Sequence, residues 1–335
     1  MPQPIQGLAH GWEGEAWTRL QLVAGGLGSW DPDLDWRLRR ALEAQDVGSP
    51  SQFIGFGGAA LVAALSAELD RAYVPLAREV LARWAATTCL AHEDDVYLGH
   101  PGALLALCEI MDRSSRFAVP PRFLARCYRR TLAAIRRMLD SEEPHYLGFA
   151  HGLAGLLFAA ECAALQLGCP REPALVARAF DRLADTRVLA PGVGTLWPAT
   201  SSGELSRMSS AWCHGGAGIA LALHGCHLVT GEAAYLELFV EASATVLNVP
   251  SRSQTFCCGR AGRAQVLVEL FRQTGERRWL DAAQRVADEP APARLSDEYP
   301  AGFSQGSLGL SYLRARLAHP QLPLPGVGFF DYAMS

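Results

Sequence analysis

A chain of 335 residues, half of them hydrophobic, carries enough apolar material for one large or two ordinary domains with a sizeable core. Its 30 basic and 34 acidic residues leave a formal net charge of −4 and are interspersed without a basic block, which excludes nucleic acid as the expected partner. No apolar stretch reaches the roughly 20 uncharged residues of a bilayer helix, and MPQPIQGLAHGWEGE has neither the basic nor the apolar region of a signal peptide, so a cytoplasmic protein is expected.

Taken in chain order, the elements are organised by a repeat. HGWEG (His10 to Gly14) opens a first apolar helix, and the amphipathic PDLDWRLRRALEAQ follows it. IGFGG (Ile54 to Gly58) opens the next, followed by VPLAREVLARWAATTCL, and LGHPG (Leu98 to Gly102) opens a third before PPRFLARCYRRTLAAIRRML. HGLAG (His151 to Gly155) runs into LLFAAECAAL and is followed by EPALVARAFDRLAD. HGGAG (His214 to Gly218) runs into IALALHGCHL, then come CGRAG (Cys258 to Gly262) and QGSLG (Gln305 to Gly309). The seven copies share the spacing x-G-x-x-G, and their first glycines recur every 44 to 63 residues. The segments between them place apolar residues at intervals of three and four, as helices apolar on one face do.

An all-α chain that alternates Gly-led apolar helices with amphipathic ones builds either a closed ring of helix pairs or an open solenoid. Ala-rich, Gly-led inner helices favour the ring, an α/α toroid over residues 1–335 as one domain, with seven inner and six outer helices. The two long non-helical intervals are APGVGTLWPATSSGELSRMSS, just before the fifth copy, and RVADEPAPARLSDEYP, before the seventh. Strand signals are weak throughout. If the inner helices all start at one end of the ring, their free N–H groups surround one mouth and favour anions there.

The chemistry-bearing residues fall at that mouth. Cys213 and His214 precede the fifth glycine, and Cys257 and Cys258 precede the sixth. Three thiols at the same end of adjacent helices suit a soft divalent metal: Zn²⁺ with three thiolates keeps a position open, whereas His214 as a fourth ligand would close it. Small buried residues at helix starts are the equally weighted alternative. His151, at the same position in the fourth copy, suits a general acid or base, or a structural hydrogen bond. Asp95, four residues ahead of Gly99, either orients such a base or matches the charge of a helix start. His10 is read as structural, and Cys89, Cys108, Cys127, Cys162, Cys169 and Cys226 as core thiols. Nine cysteines in a chain without an export signal favour reduced thiols over a disulfide framework. No P-loop, Gly-x-Ser-x-Gly elbow or His-Glu-x-x-His motif is present.

With its AHG, W-C-H-G and C-C-G motifs on a sevenfold repeat, nearly the whole chain resembles the lanthionine synthetase C-like cyclases. W-C-H-G followed by C-C-G, with the ending AGFSQGSLGLSYLRARLAHPQLPLP, is most similar to the cyclase domain of class II lanthipeptide synthetases. The resemblance implies an α/α toroid whose catalytic zinc is held by Cys213, Cys257 and Cys258. It also implies that His151 handles the proton with Asp95 assisting, and that His214 is a polar residue beside the metal. The implied activity adds a cysteine thiol of a ribosomal precursor peptide across dehydroalanine or dehydrobutyrine. With no dehydratase region in this chain, a separate enzyme is expected to make those residues, and the family arginine a turn before the first zinc cysteine is replaced by Ser209 and Ser210. The competing expectations are addition of a free thiol such as glutathione and a non-catalytic binding partner of the same pathway. An isoprenoid enzyme on a similar toroid is disfavoured for want of an Asp-rich motif.

Overall fold

A computed structural model describes residues 7–43, 49–86, 95–114, 116–118, 120–192, 194–202, 209–251, 253–290 and 295–324. Seven of its helices follow the seven glycine motifs: α1 (Trp12–Ala24), α3 (Gly57–Leu69), α5 (His100–Arg113), α7 (Leu153–Gln166), α9 (Gly216–Thr230), α11 (Arg260–Thr274) and α13 (Ser307–Ala318). Between them, among the described residues, lie α2 (Leu34–Glu43), α4 (Val74–Ala86), α6 (Pro121–Asp140), α8 (Pro173–Asp185), α10 (Ala233–Asn248) and α12 (Arg277–Asp288). The expected seven inner and six outer helices are therefore present.

The two sets differ in burial as their sequences require. Every residue of α7 from Leu153 to Ala163 is buried, the pattern of a helix surrounded on all sides. In α6 only Phe123, Cys127, Tyr128, Thr131, Leu132, Ala134, Ile135 and Leu139 are buried, a single stripe at helical spacing. The inner helices pack side by side, and the ring closes where Trp17 of α1 meets Tyr312 of α13 edge to face, 5.4 Å between ring centres. This closure decides for the toroid over the open solenoid.

The second glycine of each motif has a steric reason. Gly215 is the N-terminal cap of α9, and a Cβ on Gly218, one turn later, would run into the Trp212 carbonyl oxygen. The second glycine thus lets the loop before each inner helix fold back onto the helix's first turn.

The interval before the fifth copy departs from the expectation of loop alone. Val188–Ala190 (β1) and Gly194–Leu196 (β2) form an antiparallel pair, with Val188 opposite Leu196. The positive φ of Gly192 and Gly194 makes the tight reversal, a local device that a search for alternating apolar residues does not detect. Cys108, Cys127, Cys162 and Cys226 are buried free thiols and Cys169 is half-buried; Cys89 lies outside the described residues. Among the described residues, no helix is long and apolar enough to cross a membrane.

Candidate metal and proton-transfer site

The mouth is organised by the residue two places before each first glycine. The amide of Ala9 donates to the carbonyl of Phe53 (2.9 Å), Tyr97 to Ala150 (3.0 Å), Ala150 to Cys213 (3.1 Å), Cys213 to Cys257 (3.2 Å), Cys257 to Ser304 (2.8 Å) and Ser304 back to Ala9 (2.9 Å). Between the second and third copies a side chain makes the link: the Phe53 amide donates to Ser51 Oγ (3.1 Å), which donates to the Val96 carbonyl (2.9 Å). The result is a hydrogen-bonded belt around the ring axis that satisfies loop amides which would otherwise be buried unpaired. Side chains at these positions, and at the next residue, are fixed around one mouth.

Two neighbouring copies place their thiols together on this belt. Cys258 Sγ lies 3.4 Å from Cys213 Sγ and 3.3 Å from Cys257 Sγ. All three sulfurs are within 4.8 Å of one another, with Cys213 and Cys257 buried and Cys258 exposed. The contacts with Cys257 and Cys258, followed by burial, push the Cys213 thiol up. For Cys257 the contact with Cys213 works downward, but the contact with Cys258 and burial together carry it up. Cys258 moves the other way, held well below the usual thiol range by contacts with Cys213 and Cys257 and by the nearby His214 and His151. The contacts thus favour ionisation at Cys258, the most exposed sulfur, over its two buried neighbours. Three soft donors this close fit a thiophilic divalent ion, whose charge would allow all three to ionise.

The expected proton-handling residues stand beside the thiols. His151 Nδ1 is 2.9 Å from Asp95 Oδ2, while Asp95 Oδ1 accepts the Leu98 amide at 2.6 Å. Asp95 is anchored by its own loop, holds the imidazole in one orientation and favours its proton on Nδ1. The cap of α5 is Gly99 itself, and Asp95 bonds the Leu98 amide just before it. His214 stacks on His151 with ring centres 5.0 Å apart and on Tyr146 at 4.2 Å. Burial, then the proximity of His151, lowers the His214 pKa. Its Nδ1 is buried without a hydrogen-bond partner. The structure therefore brings all six expected residues to one mouth.

Three further residues join them. Tyr97 Oη is 3.0 Å from His10 Nε2 and donates to Ser304 Oγ at 3.2 Å, and His10 stacks on Tyr299 with 4.1 Å between ring centres. Tyr97 and Ser304 occupy the repeat position of Cys213 and Cys257, so aligning the seven copies on their glycines would have singled them out. His10, read from sequence as structural, stands at the mouth.

A cavity of about 610 Å³ lies elsewhere, between the C-terminal halves of α9 and α11, the start of α12 and the end of α13. His224, Glu269, Arg272 and Leu317 are among its walls. An inner helix of 15 residues spans roughly 22 Å, which separates that cavity from the thiols.

A family model described as "Lanthionine synthetase C-like protein" matches residues 37–324. Among solved structures, one described as "Nisin cyclase" superposes with a TM-score of 0.70 at 15% sequence identity, covering 98% of this chain and 93% of that one. At that identity the likeness establishes the shared fold.

Proposed function

The chain belongs to the lanthionine synthetase C-like proteins, and from that premise we propose that it is a zinc-dependent cyclase joining a cysteine thiol to dehydroalanine or dehydrobutyrine within a ribosomally made peptide. The observation that carries this reading is the convergence of three thiols within 4.8 Å of one another beside a histidine oriented by a carboxylate. Cys213, Cys257 and Cys258 would hold the ion. Zn²⁺, which takes four ligands at such sites, would supply Lewis acidity that favours the thiolate of an incoming cysteine, whose ordinary pKa of about 8.5 keeps it mostly protonated at neutral pH.

The remaining chemistry falls to this chain's side chains. The substrate thiol releases its proton to solvent, its sulfur forms a bond to the β-carbon, the C=C electron pair moves toward the carbonyl, and the resulting enolate needs a proton at the α-carbon. His151, oriented by Asp95 through Nδ1, delivers that proton from Nε2 and later regains one from solvent. The inner-helix N-termini around the mouth oppose the negative charge as it develops. His214, wedged between Tyr146 and His151, fixes the second face of the catalytic imidazole.

The test is metal analysis followed by incubation with a synthetic peptide that contains one dehydroalanine and one cysteine. About one zinc per chain is expected. Ring closure leaves the peptide mass unchanged and removes its reactivity toward N-ethylmaleimide. If the zinc-loaded chain leaves the thiol titratable at the uncatalysed rate, the reading fails. If added glutathione is joined to the peptide in place of its own cysteine, the activity is intermolecular thiol addition.

A further inference from the structure

Resting on the cyclase reading above, we propose from the contacts across the ring axis that Tyr97, clamped at its hydroxyl by His10 and Ser304, is a positioning residue that holds the imidazole of His151 at its proton-delivery angle.

Three neighbours hold His151. Asp95 Oδ2 lies 2.9 Å from its Nδ1, the His214 ring stacks on it at 5.0 Å, and the Tyr97 ring leans against it with 5.2 Å between centres and 56° between planes. The backbone reinforces the last contact, because the Tyr97 amide donates at 3.0 Å to the carbonyl of Ala150, the residue just before His151. The carboxylate fixes one atom, about which the imidazole could still swing, and the two rings remove that freedom. The His151 side chain nonetheless keeps 24% of its surface exposed, so substrate can reach it.

Tyr97 is in turn fixed at its far end. Its hydroxyl donates to Ser304 Oγ at 3.2 Å and lies 3.0 Å from His10 Nε2. With its one hydrogen given to Ser304, the phenol oxygen accepts from His10, which carries its proton on Nε2. Partners from the seventh and first copies thus pin a side chain of the third across the ring axis. Phe53 stacks on the Tyr97 ring at 5.9 Å and 15°. Tyr97 is 8% exposed, so water is no ready substitute at the hydroxyl. Packing alone would hold a phenylalanine here, whereas the clamp also fixes the tip of the ring and with it the tilt against His151. The step this serves is protonation of the enolate. Its α-carbon is planar, so the face on which the proton arrives sets the product's configuration, and a displaced donor both slows the step and admits the other face.

The test compares Tyr97→Phe, His10→Ala and the double variant as zinc-loaded full chains acting on the synthetic peptide. Turnover is read from the loss of maleimide-reactive thiol, and the α-carbon configuration by chiral chromatography of the hydrolysed product. Tyr97→Phe is expected to lower kcat by about 10-fold with KM within about twofold of the parent, to keep the parent's zinc content and to yield mixed α-carbon configurations. His10→Ala should act in the same direction but less, and the double variant should lose no more than Tyr97→Phe alone, since both release one clamp. Tyr97→Phe with kcat within about twofold of the parent and a single product configuration overturns the proposal. So does a double variant whose losses multiply, or a loss of turnover that only follows a loss of zinc or of folded protein. If the parent chain itself leaves the ring open, or His151→Ala turns over at the parent rate, the cyclase reading falls and the proposal with it.

Discussion

The two ends of the toroid are built by the same repeat and treat their polar groups in opposite ways. At the C-terminal ends of the inner helices, buried charges face each other: Glu161 takes Arg171 at 2.8 Å, and Glu269 takes Arg272 at 3.0 Å and also Arg316. Burial opposes ionisation of Glu269, yet Arg316 and Arg272 outweigh it and hold that carboxyl below its ordinary pKa. The helix carbonyls there favour cations, so arginines suit that end. At the mouth, three thiols crowd together and the Nδ1 atoms of His10 and His214 have no hydrogen-bond partner. A charge-paired end serves stability, and an end left unsatisfied is where a ligand contributes.

Removing a mouth thiol should produce the largest effect. Cys258→Ala is expected to lose most bound zinc and to reduce cyclisation to background. His151→Ala should keep the zinc and lose about 10²–10⁴-fold in turnover. Metal analysis beside the maleimide assay separates the two. A Cys258→Ala chain that keeps a full complement of zinc would remove the three-thiol site.

The opposite end should answer with stability alone. Arg316 is fully buried, bonded to Gln265, Glu269 and the Leu322 carbonyl. Arg316→Met breaks a buried pair, for which about 3–5 kcal/mol is typical; because Arg272 remains on Glu269, about 3 kcal/mol is expected. Urea unfolding measures the loss, while zinc affinity should stay at the parent value. A drop in zinc affinity without unfolding would mean that the two ends are coupled, and the division of labour would fail.

How much of this could be read from the sequence follows from what repeats. The seven glycines are locked to backbone sterics that each copy must satisfy, so the helix order, the ring and its single mouth were legible. Cys213, Cys257, Cys258, His151 and Asp95 were legible because they cluster at glycine motifs. The repeat positions of Tyr97 and Ser304 were readable in the same way, but the contact between them was not, because a tyrosine reaching across the axis to another copy has no local signature. The paired charges of the far end were equally hidden, since Glu269 and Arg316 are 47 residues apart and read singly as helix polar positions.

A further contrast concerns an acid that departs from this division. Glu13, in the first turn of α1 at the mouth end, is fully buried. Burial pushes its pKa up to about 8 from 4.5, and the amides of Glu13 and Gly7 and the charge of Arg37 offset only part of the rise. A helix start favours an anion, yet desolvation wins here. The folded chain therefore holds this proton between about pH 4.5 and 8 while the unfolded chain releases it. Folding takes up a proton across that window, so this contribution to stability is fully present below about pH 4.5 and is lost as pH rises toward 8. Each pKa unit corresponds to about 1.4 kcal/mol, so the decline should reach a few kcal/mol. Glu13→Gln keeps the shape and removes the titration. Its urea stability should fall less steeply than the parent's between pH 5.5 and 8, roughly the window set by the shift. Parallel profiles would mean that Glu13 is already ionised in the folded chain, and that the mouth stabilises a buried anion even without a metal.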